Sequence, residues 1–146
     1  MLNFKEEIRR FNRYYNRIMG ISKRYTDESK FSATEALILY EISNKPNCTA
    51  ALLCELFSLD KGYLSRILKK FEGDELLQRI PSKEDKRVFL LFITKKGEEE
   101  LQKLVGGSNA IVDNLIENIP DDKKLELIES MRKIEDIFIQ YYVPRQ

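Results

Sequence analysis

Apolar positions recur at helical spacing along most of the chain and change to strand spacing between residues 76 and 93. Leu64, Ile67, Leu68 and Phe71 follow the i, i+3, i+4, i+7 pattern, so a helix over 61–72 turns one stripe toward a core. Arg66, Lys69 and Gly62 fall on the opposite side, flanked by Tyr63, Ser65 and Lys70. No carboxylate stands between Lys61 and Lys70, and the outward face is therefore suited to an anionic surface. Asp60 is placed to cap the helix, Gly62 permits close backbone approach, and the free N–H groups of a helix start favour phosphate. Taken alone, these cations also fit the ordinary solvated face of an amphipathic helix.

The neighbouring segments narrow the choice. Thr49 precedes a short apolar helix with Leu52, Leu53, Leu56 and Leu59, and two short helices joined by a tight turn make a helix-turn-helix. After the second helix, Leu76–Ile80 reads as a strand, residues 81–86 as a polar turn, and Arg87–Ile93 as a second strand rich in β-branched and aromatic residues. The hairpin carries Arg79 near its base and Lys83, Lys86 and Arg87 near its tip, where long cations reach a groove or its phosphates. Upstream, Ser32 and Glu35 make a capping-box pattern for a helix through Leu37, Ile38, Leu39 and Ile42, which stops near Lys45-Pro46.

The ends of the chain are helical as well. Ile8, Phe11, Tyr15, Ile18 and Met19 form a stripe in a helix expected over Phe4–Tyr25. Thr94 caps a long helix through Leu101 and Leu104, with a kink or break expected near Gly107. Pro120-Asp121-Asp122 starts a final helix whose apolar set, from Leu125 to Tyr141, is too extensive to stand alone.

These residues together resemble the MarR family of winged helix-turn-helix transcription regulators. The likeness rests on Asp60 opening the recognition helix, the run from Ser65 to Glu72, Leu76-Leu77-Gln78-Arg79 entering the wing, Asp85-Lys86-Arg87 at its tip and Thr94-Lys95-Lys96-Gly97 closing it. One departure is that Glu75 occupies a position where the family usually has glycine. The resemblance implies a mainly α fold with a small β-hairpin wing (α+β), a single domain over 1–146, a DNA-binding lobe over 32–97, and dimerisation helices over 1–30 and 98–146. It further implies a homodimeric repressor at palindromic double-stranded operators, because two recognition helices about one helical turn apart would read both half-sites.

Within that reading, Arg66 is the first candidate for a guanine edge, since a guanidinium donates to O6 and N7 together. Tyr63 and Ser65 are candidates to contact bases or phosphates, with Gly62 beside them, while Lys61, Lys69 and Lys70 are candidates for phosphates. Arg87 is the main candidate in the wing, with Lys83 and Lys86 beside it and Asp85 orienting it in a D-x-R pattern. The resemblance also implies release from DNA by a small aromatic or phenolic effector. Tyr14, Tyr15, Met19, Leu37 and Tyr40 are candidates to line its pocket, with ordinary core packing as the alternative use of the same residues.

Charge and composition change this picture in two ways. The net charge of +1 hides an uneven distribution: Lys and Arg outnumber Asp and Glu by 8 to 4 over residues 1–30 and 10 to 7 over 49–97, whereas residues 98–146 carry 6 against 11. A basic working face with an acidic far side orients a protein on a polyanion. The lack of histidine excludes Ser-His-Asp and Cys-His catalysis and histidine-based metal sites, and no phosphate-binding glycine loop is present. Neither catalysis, a cofactor nor a metal is therefore expected, and an enzyme subunit is disfavoured.

No apolar run is long enough for a membrane span and the N-terminus has no apolar signal core, which leads to the expectation of a cytoplasmic protein. Cys48 and Cys54 fit reduced thiols, Cys54 as a buried structural residue and Cys48 as a minor redox candidate. The reading from another class is a winged protein-interaction module that does not bind DNA sequence-specifically.

Overall fold

In the computed structural model, residues 1–19 and 30–143 are described, apart from the side chains of 106–108. The chain is mainly helical, with one two-stranded sheet among the described residues. In order, the elements are α1 (Phe4–Ile18), α2 (Ala33–Asn44), α3 (Ala50–Phe57), α4 (Lys61–Gly73), β1 (Leu77–Pro81), β2 (Phe89–Ile93), α5 (Lys95–Ile116) and α6 (Asp121–Tyr141).

The core gathers between Phe31 and Leu101. All four stripe residues of α4 are buried and pack with Ile38, Leu39 and Ile42 of α2, Leu53 of α3, and Leu76, Leu77 and Leu91 around the hairpin. Phe31 meets Phe71 edge to face, with ring centres 6.0 Å apart. Burying an aliphatic or aromatic side chain contributes roughly 1.5–3 kcal/mol, so this cluster is the main source of stability of the lobe. By contrast, no residue of α1 or α6 is buried. Among the described residues, their apolar stripes are only partly covered, with Ile8, Phe11, Ile137 and Phe138 exposed.

Side-chain caps set the helix starts. Ser32, Thr49, Asp60 and Thr94 each accept a hydrogen bond from the backbone N–H three residues on, which satisfies a donor that the helix cannot. The Glu35 half of the expected capping box has another engagement: its carboxylate lies 2.6 Å from Lys70 Nζ on α4. A tertiary partner has captured a side chain that local sequence assigned to its own helix end.

Helix α1 is described over Phe4–Ile18, with the Met19 N–H bonded back to the carbonyls of Tyr15 and Arg17, and residues 20–25 of the expected helix lie outside the described residues. Two further expectations are corrected. Helix α5 runs from Lys95 to Ile116 without the expected break at Gly107. Glycines cost a helix about 1 kcal/mol each, less than a new terminus with its unpaired backbone groups would cost in a segment apolar on both sides. The strands are displaced from their expected limits, Leu77–Pro81 pairing antiparallel with Phe89–Ile93 in the register Leu77 to Ile93 and Pro81 to Phe89. Residues 87 and 88 belong to the turn, where the Val88 carbonyl accepts from Ser82 N and the Val88 N–H donates to the Asp85 carbonyl.

Candidate nucleic-acid interface

The turn between α3 and α4 comprises Ser58, Leu59 and Asp60, with Ser58 in the left-handed conformation at φ 51°. It lets two short helices cross while Leu59 packs against the core. The second of them, α4, then presents Lys61, Gly62, Tyr63, Arg66, Lys69 and Lys70 to solvent, with Ser65 half-buried beside them. Burial of Leu64, Ile67, Leu68 and Phe71 on the other side determines that presentation.

The exposed cations differ in their engagement. Lys70 is tied to Glu35 and stands over the Phe31 ring at 5.8 Å, so it braces α4 against α2. Arg66 lies over the ring of Tyr63, its guanidinium carbon 5.9 Å from the ring centre. No ion pair involving Lys61, Arg66 or Lys69 occurs among the described residues. Arg79, which the sequence placed among the hairpin cations, is paired with Glu72 of α4 and is half-buried. Its charge is used inside the lobe.

At the wing tip, Lys83, Lys86 and Arg87 are exposed. Asp85 Oδ1 accepts from both the backbone N–H and Nε of Arg87, at 3.0 and 3.2 Å. The Arg87 side chain nevertheless remains 91% exposed, so Asp85 steers its base without covering its terminal N–H groups. The hairpin is attached to the helices through its backbone: Leu91 N–H donates to the carbonyl of Cys48, just ahead of α3. Cys48 is buried, and burial with the nearby Glu41 charge pushes its thiol upward against a smaller opposing effect of Lys45. Such a thiol yields little thiolate, which argues against the redox role. Cys54 is half-buried rather than fully buried.

The wing entry resolves the departure at Glu75. Leu76 N–H donates to the Phe71 carbonyl and Glu75 N–H to the Glu72 carbonyl, the paired bonds of a Schellman helix end. That motif places Glu75 at φ 61°, where glycine is normally favoured. The wing geometry is thus kept with a residue that strains to adopt it.

Of the five candidate effector residues, Tyr14, Tyr15 and Met19 are on or at the end of α1, and Leu37 and Tyr40 are on α2. Tyr14, Leu37 and Tyr40 are exposed, while Tyr15 stacks on Phe11 and is half-buried like Met19. A separate apolar cleft of about 390 Å³ lies between α1 and α6, lined by Ile8, Phe11, Ile134, Ile137 and Phe138 with Glu7, Arg10 and Asn12, and contains none of the five. Among the described residues, no helix is long and apolar enough to cross a membrane.

Comparison with known proteins places this arrangement. The MarR family model matches residues 31–89, the segment that holds the helix-turn-helix and most of the hairpin. The HTH-type transcriptional regulator BilQ of Clostridium symbiosum is 27% identical over 93 residues, covering 64% of this chain and 65% of that protein, just under two thirds of its length. The crystal structure of Streptococcus pneumoniae FabT in complex with DNA superposes with a TM-score of 0.77 at 17% identity, covering 94% of this chain and 99% of that one. The structure of Bordetella bronchiseptica BpsR, whose DNA binding is regulated by 6-hydroxynicotinic acid, gives 0.71 at 18%, covering 93% and 98%. At these identities the two structural likenesses concern the fold. Together with the family match over residues 31–89, they show a helix-turn-helix and hairpin segment similar to the MarR family of transcription regulators, in a chain with the winged helix-turn-helix fold of its structural neighbours.

Proposed function

We propose that this protein is a sequence-specific regulator of transcription that binds double-stranded DNA as a homodimeric repressor at palindromic operators. The observation that carries the DNA-binding reading is the division of α4: its apolar stripe is buried, while Lys61, Tyr63, Arg66 and Lys69 remain exposed on the other face. In this reading α4 enters the major groove, Arg66 reads a guanine, the lysines grip phosphates, and Arg87 with Lys83 and Lys86 grips from the wing. The FabT complex with DNA supports the partner class through a common fold.

Dimerisation over helices 1–30 and 98–146 is supported by their uncovered apolar faces. Ile137 is 59% exposed and Phe138 54%, and both border the cleft against α1. A second copy would cover these surfaces and double the DNA contacts, since one module of this size buries only ~600–1,000 Å² on DNA. Release by a small aromatic or phenolic effector, with Tyr14, Tyr15, Met19, Leu37 and Tyr40 as its candidate lining, is supported by the likeness to BpsR.

The test is binding to genomic fragments in an electrophoretic shift, followed by Arg66→Ala and Arg87→Ala on the selected operator. Each substitution is expected to weaken binding with dimerisation intact, Arg66→Ala by about 1–3 kcal/mol and most strongly at one base pair. Unchanged affinity in both variants overturns the assignment of the DNA face. Exposed Ile80, Phe89 and Phe92 on the hairpin favour a second reading, a wing that contacts protein, for which the discriminating result is no shift with any fragment.

A further inference from the structure

Arg66 differs from the other arginines of the lobe in what holds it. Arg79 is ion-paired with Glu72, and Arg87 Nε donates to Asp85, so a carboxylate neighbours each of these guanidinium groups. Arg66 is instead placed over the Tyr63 ring, one turn earlier on the same exposed face, at 5.9 Å. The physical difference is directional. A carboxylate engages the N–H edge of a guanidinium, whereas an aromatic ring attracts its flat face and leaves the edge donors available.

Tyr63 is itself held in place at the helix start, because its backbone N–H donates to Asp60 Oδ2 at 3.0 Å. Its side chain is 39% exposed and lies outside the buried cluster that makes the core. The preceding residue, Gly62, puts no side chain beside the ring, and a Cβ there would already approach the capping carboxylate at 3.0 Å. Neither ring nor guanidinium is needed to bury the stripe of α4, which the four core residues do by themselves.

We propose that Tyr63 is a positioning residue for sequence reading: its ring supports one face of the Arg66 guanidinium and presents the N–H edge, already ordered, to the O6 and N7 of a guanine. This rests on the reading in which α4 enters the major groove. A free arginine on a helix surface carries large rotamer freedom that is lost when it docks on a base, and a ring beneath it removes part of that freedom beforehand. Tyr63 therefore contributes to discrimination through Arg66, by its ring and not by its hydroxyl. Phenylalanine at the same position should do the same work.

The experiment uses the full-length protein and an operator selected from genomic fragments, with each base pair replaced in turn and binding measured at several salt concentrations. Arg66→Ala should abolish preference at one guanine. Tyr63→Ala should weaken preference at that same base pair by about two- to sixfold, the range of an exposed cation–π contact, and leave the salt dependence unchanged. Tyr63→Phe should retain the preference, and Tyr63→Ala should have no further effect on discrimination in an Arg66→Ala background.

Thermal unfolding of each variant checks that the exposed substitution leaves the fold intact. The proposal is overturned if Tyr63→Phe weakens all sequences equally, because the hydroxyl then holds a phosphate through a neutral hydrogen bond. It is also overturned if Tyr63→Ala alters a different base pair or none. If Arg66→Ala leaves every preference unchanged, the underlying reading of α4 fails and the role of Tyr63 fails with it.

Discussion

The Thr94 hydroxyl donates a 2.6 Å hydrogen bond to the carbonyl of Glu75, joining the start of α5 to the left-handed residue where α4 ends. The next residue adds a second tie, as Thr94 N–H donates to the Leu76 carbonyl at 3.0 Å. Both ends of the wing are therefore closed on each other. The same threonine also accepts from Gly97 N and so caps the helix that leaves the wing.

Glu75→Gly should stabilise the protein. A non-glycine residue in the left-handed region costs about 1–2 kcal/mol, while glycine loses some of that advantage through its freer unfolded chain. The contact of Glu75 with Lys96 at 3.5 Å is 81% exposed on the glutamate side and contributes little. The expected net gain is about 0.5–1 kcal/mol, read as a higher urea midpoint at unchanged slope.

Gly97→Ala should act in the opposite direction. A Cβ at this position would collide with the Leu76 carbonyl oxygen and come within 2.7 Å of Ile93 Cγ1. Since the oxygen is backbone and already bonded to Thr94, the collision has to be relieved by moving α5 against the wing. A loss of about 1–3 kcal/mol is expected in the same unfolding measurement.

Lys69 and Lys70 are adjacent, yet their substitutions should separate. Lys70 is 43% exposed and engaged by Glu35, so Lys70→Ala should cost at most about 1 kcal/mol of stability and leave the salt slope of DNA binding nearly unchanged. Lys69→Ala should lower that slope by about one, as expected when a phosphate contact is removed. Equal slopes for both variants would show that Lys70 leaves Glu35 to bind DNA.

Ile137→Lys should abolish the proposed dimer without unfolding the lobe. The side chain is 59% exposed within one chain and borders the cleft against α1, far in sequence from the buried cluster. Sedimentation should report the monomer while circular dichroism keeps its helical signal. Operator affinity should fall because only one half-site is then held at a time.

Cys48 gives a pH dependence with a definite sign. Burial raises the thiol pKa in the folded protein, with Glu41 adding to the effect, so folding favours the protonated form. Its contribution is fully present below the unfolded thiol value, about 8.5, and is lost as pH rises through the higher folded value. Unfolding midpoints should decline on the alkaline side. At neutral pH a thiol reagent should modify Cys54 well before the buried Cys48, as read by mass spectrometry of the digested protein.

Much of the lobe was legible because its signals are local. The spacing of Leu64, Ile67, Leu68 and Phe71 determines which side of α4 is buried, and Thr49, Asp60 and Thr94 cap the helices that they precede. Other features needed partners distant in the chain. Glu35 follows Ser32 in a capping-box pattern, but Lys70 is 35 residues away and draws its carboxylate. Arg79 resembled a free wing cation until α4 brought Glu72 beside it. Leu56 matched the apolar pattern of α3 yet is 47% exposed, because a short helix has only a narrow contact with the core.

Periodicity, capping residues and charge order alone determined a winged helix-turn-helix with a basic recognition face, since each acts over a turn or two of helix or across one hairpin. Tertiary structure decided how individual residues are engaged. It set Lys70 on Glu35, Arg79 beside Glu72, and Glu75, tied to Thr94, in a conformation that its own side chain disfavours. These outcomes depend on which elements pack together, and packing is driven by the buried apolar cluster, which places polar side chains beside neighbours that no local pattern specifies.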